Sequence, residues 1–269
     1  MTTATIKREV PTVVPPAEWL AARKDLLKKE KQLTLLRDEL SKQRRELPWE
    51  KVEKPYVFEG AKGKETLADL FGGKSQLIIY HFMFGPGWKE GCPSCSFIAD
   101  NFDGAIPHLA ARDTTLLAVS RATLPEIDAF KKRMGWRFKW MSSFGSDFNS
   151  DYHVSFSKEE MAKGTAYYNY AASGFPSEEG PGASVFYKNA AGEIFHTYSV
   201  YARGLDPMLV AYQYIDLTPK GRDEEGLPHP MAWVRHHDRY SESNLVDVKQ
   251  LSQAPAKTQD SCCSDKESA

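Results

Sequence analysis

A chain of 269 residues with 35 basic and 36 acidic side chains carries a formal charge of −1 at pH 7, so no overall field attracts nucleic acid. Hydrophobic residues make up 41%, but the longest apolar stretch, residues 77–84, is far too short to span a bilayer. Because residues 1–14 carry charges and lack the apolar run of a secretory signal, we expect a cytoplasmic protein that binds neither nucleic acid nor membrane.

The first 50 residues are expected to form an arm and one amphipathic helix, from Ala17 to about Leu47, which Pro48 ends. Leucines recur every seven residues at positions 26, 33, 40 and 47, with Leu36 on the same side. Such a repeat is typical of a homodimer seam or of a helix laid over the protein's own body, and the pattern leaves both open. The folded domain is expected at residues 51–240, followed by a polar, disordered tail at 241–269.

The first half of the domain alternates between strand and helix patterns, as a parallel βαβ core does. A nearly continuous apolar run from Gln76 to Phe84 indicates a central strand buried on both faces of a sheet. Apolar residues then recur at helical spacing as far as Leu109, and Pro107 is expected to kink or split that helix. The other elements predicted here are a strand (56–58), a turn (60–63), a short helix (67–71), a strand (114–120) and a helix (125–134).

The central strand leads to Gly-Cys92-Pro93-Ser94-Cys95, the strongest candidate active site. Two cysteines three positions apart at a helix start lie within bridging distance, and the free N–H groups there lower the pKa of the first thiol. We therefore expect Cys92 to attack a substrate disulfide and the more buried Cys95 to resolve the mixed disulfide. Pro93 suits the first helical position, and Ser94 is expected to tune the redox potential.

Two residues near this pair have open roles. Trp88 either packs beside the disulfide as a contact surface or fills a loop. Arg121 follows the second parallel strand, so it is expected at the carboxyl edge of the sheet, where ligands of open α/β folds bind. There it either lowers the pKa of Cys92 or holds an anionic substrate, or it is a surface arginine paired with a carboxylate.

The second half of the domain contains a β-hairpin, with strands at 184–187 and 194–200 around a turn at 189–192. Asp206 is expected to cap a helix from Pro207 to about Ile215. The aromatic-rich stretch near 142–182 is interpreted as an insertion. These elements predict an α/β fold with a central mixed sheet flanked by helices, preceded by the long N-terminal helix.

Late in the chain lie two further groups of potential ligands. Cys262 and Cys263 are adjacent in the polar tail, where they are either inert or a mobile pair that passes electrons or catches a soft metal. The other group is His229, His236, His237 and Asp238. Neighbouring histidines on a helix or strand point apart, so we expect hydrogen bonding near the domain edge rather than a metal site.

Metal and cofactor sites are not expected around the cysteine pair. A zinc site needs two further ligands, and no second CxxC or histidine pair follows at the usual spacing. The glycine motifs that bind nucleotides are also missing from the sequence. We therefore expect no cofactor, and an external dithiol would reset the enzyme.

Four segments closely resemble the DUF899 family of predicted dithiol-disulfide oxidoreductases. They are YHFMFGPGWKEGCPSC (80–95), VSR (119–121), MGW (134–136) and FHTYSVYARGLD (195–206). Long motifs of this kind are more specific than a bare CxxC. The resemblance covers residues 15–240 and implies a thioredoxin-like fold for the domain at 51–240, whereas the biological substrate of the family is unassigned.

The order of strand, short leucine-rich helix, Gly-Gly-Lys and central strand is also similar to the beginning of peroxiredoxins. Those enzymes place a threonine three residues before the peroxidatic cysteine, and Lys89 holds that position here. A hydroperoxide reductase is therefore the second alternative. A non-enzymatic protein, redox-sensing or dimeric, is the third.

The chain departs from thioredoxins at the place where peptide substrates pair, just before the first strand of the hairpin. Thioredoxins carry a cis-proline there, whereas the alignment puts Gly182 at this position and Pro181 one residue earlier. Substrate docking is therefore expected to differ, and the isomer of the Gly180–Pro181 bond stays open.

Overall fold

The computed structural model describes residues 12–241, which form an α/β fold around one eight-stranded mixed sheet. The strands are β1 (Glu50–Lys51), β2 (Val57–Gly60), β3 (Gly63–Thr66), β4 (Gln76–His81), β5 (Thr114–Ser120), β6 (Trp140–Ser142), β7 (Ala166–Tyr168), β8 (Ala171–Ser173), β9 (Gly182–Lys188) and β10 (Ile194–Tyr201). The α-helices are α1 (Pro16–Glu46), α2 (Leu67–Leu70), α3 (Pro93–Ala99), α4 (Phe102–Ala110), α5 (Leu124–Arg133), α6 (Phe148–Asp151), α7 (Lys158–Lys163) and α8 (Val210–Ile215).

Strand order in the middle of the sheet is β10-β9-β4-β5. The strands β4 and β5 are parallel and are connected through α3 and α4, whereas β9 is antiparallel to β4 and forms the predicted hairpin with β10. This order and these directions, with α8 after the hairpin, are those of the thioredoxin fold. The predicted fold class, including its long N-terminal helix, is confirmed.

The central strand β4 is buried on both faces, as its apolar run predicts. Leu77 and Ile79 pack into one hydrophobic cluster with α2, whereas Tyr80, and Phe82 just beyond the strand, pack into a second cluster with α3, α4 and α5. Successive side chains of a strand point to opposite faces, so this one strand joins both cores. Because β4 is fixed from both sides, the loop that leads from it to Cys92 starts from a rigid base.

The long helix α1 has no buried residue. Its leucines Leu26, Leu33 and Leu40 are 52%, 50% and 48% exposed. Near its end the guanidinium of Arg44 lies over the ring of Tyr198, 5.3 Å from the ring centre. The helix is therefore not laid over the protein's own body through its leucines, and the homodimer seam stays a prediction of the heptad pattern.

The helix that follows the cysteines is interrupted at Asp100 and Asn101, so the expectation that Pro107 splits it is wrong, whereas the alternative of a kink at Pro107 stays a prediction. The Asp100 carboxylate accepts hydrogen bonds from Trp136 Nε1 at 2.8 Å and from His237 Nδ1 at 2.6 Å. These tertiary contacts fix the chain where α3 ends. Pro107 lies inside α4, which continues through it.

The helix expected from Pro207 begins later than predicted. Residues Ala202–Met208 form a 3-10 helix, and α8 starts at Val210. The carboxylate of Asp206 does not cap α8, because it accepts hydrogen bonds from Arg203 Nη2 at 2.6 Å and from Arg222 Nη1 at 3.4 Å. The partners of the Asp206 carboxylate are therefore two guanidinium groups and not the backbone N–H groups at the start of a helix.

The segment interpreted as an insertion contains α6, α7 and a two-stranded sheet of β7 and β8. It has its own small hydrophobic cluster, in which Phe156 and Tyr168 pack with Tyr201 of β10. The segment is therefore anchored on the hairpin beside the cysteine pair. Within residues 12–241, every helix is too short or too polar to cross a membrane.

Candidate active site

The cysteine pair lies where β4 passes into α3. Cys92 is the N-cap residue of α3 and is half-buried, Pro93 occupies the first helical position, and Cys95 is 1% exposed on the first turn. The loop is closed by a hydrogen bond from Cys92 N to Met83 O at 3.0 Å, and Met83 N donates to Cys95 Sγ at 3.5 Å. Backbone groups at the end of the central strand thus hold both sulfur-bearing residues.

Gly91 is required directly before the nucleophile position. A Cβ atom on Gly91 would lie 2.6 Å from Cε1 of Phe82 and 2.9 Å from Cε1 of Phe130, closer than side-chain atoms approach in proteins. The aromatic core therefore approaches the backbone at the point where thioredoxins carry a tryptophan. Trp88 instead packs against the main hydrophobic cluster, and its ring covers Gly85.

The two thiols have opposite pKa shifts. A hydrogen bond from Cys95 lowers the pKa of Cys92 from an ordinary 9.0 to about 7, against the opposing effect of burial. The N–H groups of Cys95 and Ser94 and the hydroxyl of Ser94 add to this lowering of the Cys92 pKa. Burial, and then the neighbouring Cys92, raise the pKa of Cys95 well above its ordinary value. At neutral pH the accessible sulfur is therefore the one that carries negative charge.

Tyr80 places a buried hydroxyl beside the pair. The hydroxyl lies beside Cys95 and interacts with its sulfur. Burial, and then the charge of Cys95 and its hydrogen bond with the hydroxyl, hold the pKa of Tyr80 well above its ordinary value, so the group stays protonated. It is a buried donor beside the pair, which the sequence had shown only as one aromatic residue of a buried strand.

Both cysteines open onto a cavity of about 560 Å³ with a mainly apolar wall. Its floor carries Tyr80, Cys92 and Cys95, and Pro181 lies on the wall. The remaining wall comes from the segment after the hairpin, mainly Leu205, Leu209, Tyr212, Arg222, Glu224 and Met231. Sequence reasoning assigned none of these residues to the site, because they lie more than a hundred positions from the cysteines and, apart from Leu205, outside the segments that carry the family resemblance.

The loop before Cys92 is held by the last described segment of the chain. Glu90 accepts hydrogen bonds from Arg133 Nη1 at 2.8 Å and from Arg239 Nη1 and Nη2 at 2.8 and 2.6 Å. Buried His236 donates from Nε2 to Gly91 O at 2.9 Å and accepts at Nδ1 from Arg133 Nη2 at 3.1 Å. These residues position the cysteine loop, and Asp238 adds to the group by pairing with Arg133.

The late histidine patch is thereby accounted for by hydrogen bonds. His236 and His237 contact different groups, Gly91 and Asp100, and His229 Nδ1 lies 2.9 Å from the carbonyl oxygen of Pro230. Among residues 12–241 there is no group of three or more histidine, cysteine or acidic side chains suited to a metal ion. Cys262 and Cys263, like the predicted tail from residue 242 onward, lie outside the described residues.

Arg121 points away from the cysteine cavity. Its Nε donates to the buried carboxylate of Glu179 at 2.6 Å, and Ser155 Oγ donates to the same carboxylate at 2.7 Å. Arg121 and Ser155, with His153, line a separate cavity of about 220 Å³, and neither Cys92 nor Cys95 lines it. Of the alternatives left open by the sequence, the geometry matches an arginine paired with a carboxylate.

The backbone conformation and the residue differ from those of thioredoxins at the position where thioredoxins pair with peptides. The Gly180–Pro181 bond is trans, and Gly182 is the first residue of β9. A Cβ atom on Gly182 would lie 2.8 Å from Cδ1 of Tyr201, so a larger residue does not fit. On either side of Pro181 the backbone is hydrogen-bonded to Val154 and Tyr168.

Comparison with solved structures returns peroxiredoxins at low identity. A peroxidoxin BcpB from Mycobacterium tuberculosis is 10% identical, with 63% of this chain and 97% of that chain covered and a TM-score of 0.41. A PrxQ from Xylella fastidiosa is 15% identical, with 59% and 88% covered and a TM-score of 0.38. A peroxiredoxin from Plasmodium vivax is 17% identical, with 63% and 93% covered and a TM-score of 0.35.

Comparison with curated proteins gives no match. The model of one family, described as a bacterial protein of unknown function, DUF899, matches residues 8–240. This match includes the cysteine pair, the hairpin and the segment that forms the cavity wall. The chain belongs to the DUF899 family.

Proposed function

We propose that this protein is a thiol-disulfide oxidoreductase in which Cys92 attacks and Cys95 resolves. The observation that carries the proposal is the asymmetric placement of the pair, since Cys92 lies half-buried at the N-terminus of α3 and Cys95 is 1% exposed on its first turn. The opposite pKa shifts of the two thiols agree with this placement. Thiolate is the attacking species in disulfide exchange, and the optimum attacking thiol has a pKa near ambient pH.

In the proposed cycle, the Cys92 thiolate attacks one sulfur of a substrate disulfide, and the other substrate sulfur leaves as a thiolate that takes a proton. Cys95 then loses its proton and attacks the Cys92 sulfur, which releases the second substrate thiol. Substrate has gained two electrons, and the protein holds a Cys92–Cys95 disulfide. An external dithiol returns the two electrons.

The pH dependence of alkylation tests this assignment. In a background with Cys262→Ser and Cys263→Ser, the rate of iodoacetamide reaction at Cys92 is expected to rise with pH through a midpoint of about 7 and then level off, because only the thiolate reacts. In Cys95→Ala the midpoint is expected to move upward, since the largest cause of the lowered pKa is lost. A wild-type midpoint close to the ordinary 9.0 would contradict the assignment.

A hydroperoxide reductase is the second candidate, and the cavity beside Cys92 favours it, because a small hydroperoxide would fit there. Cys92 would then form a sulfenic acid that Cys95 converts to the disulfide with release of water. Lys89, at the place of the peroxiredoxin threonine, is exposed and is not among the groups that shift the pKa of Cys92. We therefore rank disulfide exchange first.

A further inference from the structure

Backbone groups on either side of Pro181, where an extended peptide would pair, already hold hydrogen bonds. Gly180 N donates to Val154 O at 2.8 Å, and Pro181 O accepts a hydrogen bond from the Tyr168 hydroxyl at 2.7 Å. The next residue, Gly182, is paired with strands on both sides, β10 and β4. A protein substrate that added a strand here would have to break these bonds, and buried backbone groups are costly to leave unpaired.

The cavity at the cysteine pair has the size and the wall of a small-molecule site. Its volume of about 560 Å³ lies within the range of 300–1,000 Å³ that is typical of such sites. Leu205 and Leu209 are buried, and Met231 is half-buried where the wall reaches the surface. An apolar molecule that enters this space is desolvated directly beside the Cys92 sulfur.

Charged groups on the wall are paired with one another. Arg222 donates to both carboxylate oxygens of Asp216 at 2.9 and 2.8 Å and lies over the ring of Tyr212, 4.1 Å from its centre. Glu224 accepts hydrogen bonds from the Tyr212 hydroxyl, from Met231 N at 2.9 Å and from Trp233 Nε1 at 2.8 Å. A charged ligand would have to displace these partners, whereas an uncharged ligand leaves them in place.

Asp206 on the cavity wall is also paired, because its carboxylate already accepts hydrogen bonds from Arg203 and Arg222. The polar group that faces the reacting sulfurs is the Tyr80 hydroxyl, which is fully buried beside Cys95 and lines the same cavity. A buried donor of this kind gains a hydrogen bond when a ligand offers an acceptor atom next to the cysteines. The substrate sulfur that leaves when Cys92 breaks the S–S bond carries negative charge and is such an acceptor.

We propose that the substrate is a small, uncharged, mainly apolar disulfide and not a protein disulfide; this inference rests on the proposed dithiol function. One half of the substrate lies in the cavity while the Cys92 thiolate breaks its S–S bond and forms the mixed disulfide. The departing sulfur accepts a hydrogen bond from Tyr80 and takes its proton from water. Attack by Cys95 then releases the second half as a thiol, as in the cycle above.

The test compares two chromogenic aromatic disulfides, neutral dithiodipyridine and the dianionic dithiobis-nitrobenzoate. Rates with the reduced full-length chain, in the Cys262→Ser and Cys263→Ser background, are divided by the rates of the same reagents with mercaptoethanol. After this correction the neutral reagent is expected to react about tenfold faster or more, because the dianion must enter an apolar wall. Insulin, whose disulfides belong to a protein, is expected to be reduced by this chain with dithiothreitol no faster than by dithiothreitol alone.

A tryptophan in the cavity wall gives an independent comparison. Met231→Trp narrows the cavity and is expected to lower the corrected rate with dithiodipyridine by about tenfold. Leu217→Trp adds the same ring on an exposed residue that is 83% accessible, outside the cavity wall, and is expected to leave that rate unchanged.

Equal corrected rates for the two reagents, or faster turnover of insulin, would overturn the substrate class. In both of these outcomes Cys92 still exchanges disulfides, so the proposed function stands. Faster turnover of cumene hydroperoxide than of either reagent, or failure of Cys92 to react with iodoacetamide near pH 7, would instead overturn the proposed function, and the substrate class with it.

Discussion

Reduced Cys95→Ser protein, mixed with a small neutral disulfide, is expected to stop at a mixed disulfide on Cys92, and Cys92→Ser is expected to lose turnover by roughly a thousandfold or more. The reason is the asymmetry of the pair. Cys92 is half-buried and ionises near neutral pH, whereas Cys95 is 1% exposed and has a raised pKa. Cys95 is therefore expected to react only after Cys92 has formed a mixed disulfide, because the sulfur that Cys95 attacks is then the Cys92 sulfur beside it.

Mass spectrometry of the intact chain measures this outcome as one substrate half per protein. The double variant Cys262→Ser and Cys263→Ser is the control, since it removes the two other cysteines of the sequence and keeps the pair. An equally fast adduct on Cys95 in the Cys92→Ser protein would show that the roles are reversed.

Arg121→Met is expected to destabilise the fold by about 3–5 kcal/mol, because it leaves the Glu179 carboxylate buried without its cation. Glu179 is 1% exposed, and in the variant its carboxylate keeps the hydrogen bond from the Ser155 hydroxyl. Burial already raises the pKa of Glu179 in the intact protein, and loss of Arg121 raises it further. A carboxyl whose folded-state pKa is raised favours folding more at low pH, where it is protonated, so the deficit of the variant should shrink from pH 7 towards pH 5.

Urea unfolding of Arg121→Met and wild type at both pH values measures this difference. Glu179→Gln in the Arg121→Met background is expected to recover most of the loss, since no buried charge then remains. A deficit that is the same at both pH values, with no recovery in the double variant, would contradict the account.

The same variant tests one of the three roles that the sequence leaves open for Arg121, that of lowering the pKa of Cys92. If the arginine acts on the cysteines, the pH midpoint of Cys92 alkylation should rise in Arg121→Met. We expect the midpoint to stay at about 7, because Arg121 is not among the groups that lower the pKa of Cys92. Urea unfolding therefore tests whether the Arg121–Glu179 pair stabilises the fold, and the alkylation midpoint tests whether Arg121 affects the pKa of Cys92.

Much of the fold could be predicted because local patterns determine it. The apolar run around Ile79 requires a strand covered on both faces, and Pro93 after Cys92 starts a helix at the end of that strand. The turn between β9 and β10 gives an antiparallel hairpin whose strands occupy the predicted residues to within a few positions. With the β4–β5 crossover, these elements are sufficient for the thioredoxin order of strands.

Predictions failed where distant groups decide the outcome. The break at Asp100 depends on Trp136 and His237, and Asp206 has two arginine partners in place of a helix cap. The spacing of residues along the sequence does not indicate such contacts between distant segments. The split expected at Pro107 was a local inference, whereas the helix is interrupted at Asp100, where tertiary contacts are made.

Within the site, the sequence predicted the pair but not its surroundings. Cys92, Cys95 and Ser94 follow from one motif, whereas Tyr80 is one of several aromatic residues in its strand until the structure places it beside Cys95. The cavity wall and the Glu90 contacts assemble from segments far apart along the chain. A motif therefore suggests the chemistry, and the tertiary contacts are needed to suggest the substrate.

Thiol stoichiometry in a single turnover tests the central claim most directly. Reduced chain with Cys262→Ser and Cys263→Ser is mixed with excess dithiodipyridine, and the released pyridinethione and the protein thiols are counted. The account predicts two pyridinethiones per chain, no free thiol and a peptide linked through Cys92 and Cys95. One pyridinethione per chain with a stable adduct on Cys92 and a free Cys95 would contradict it.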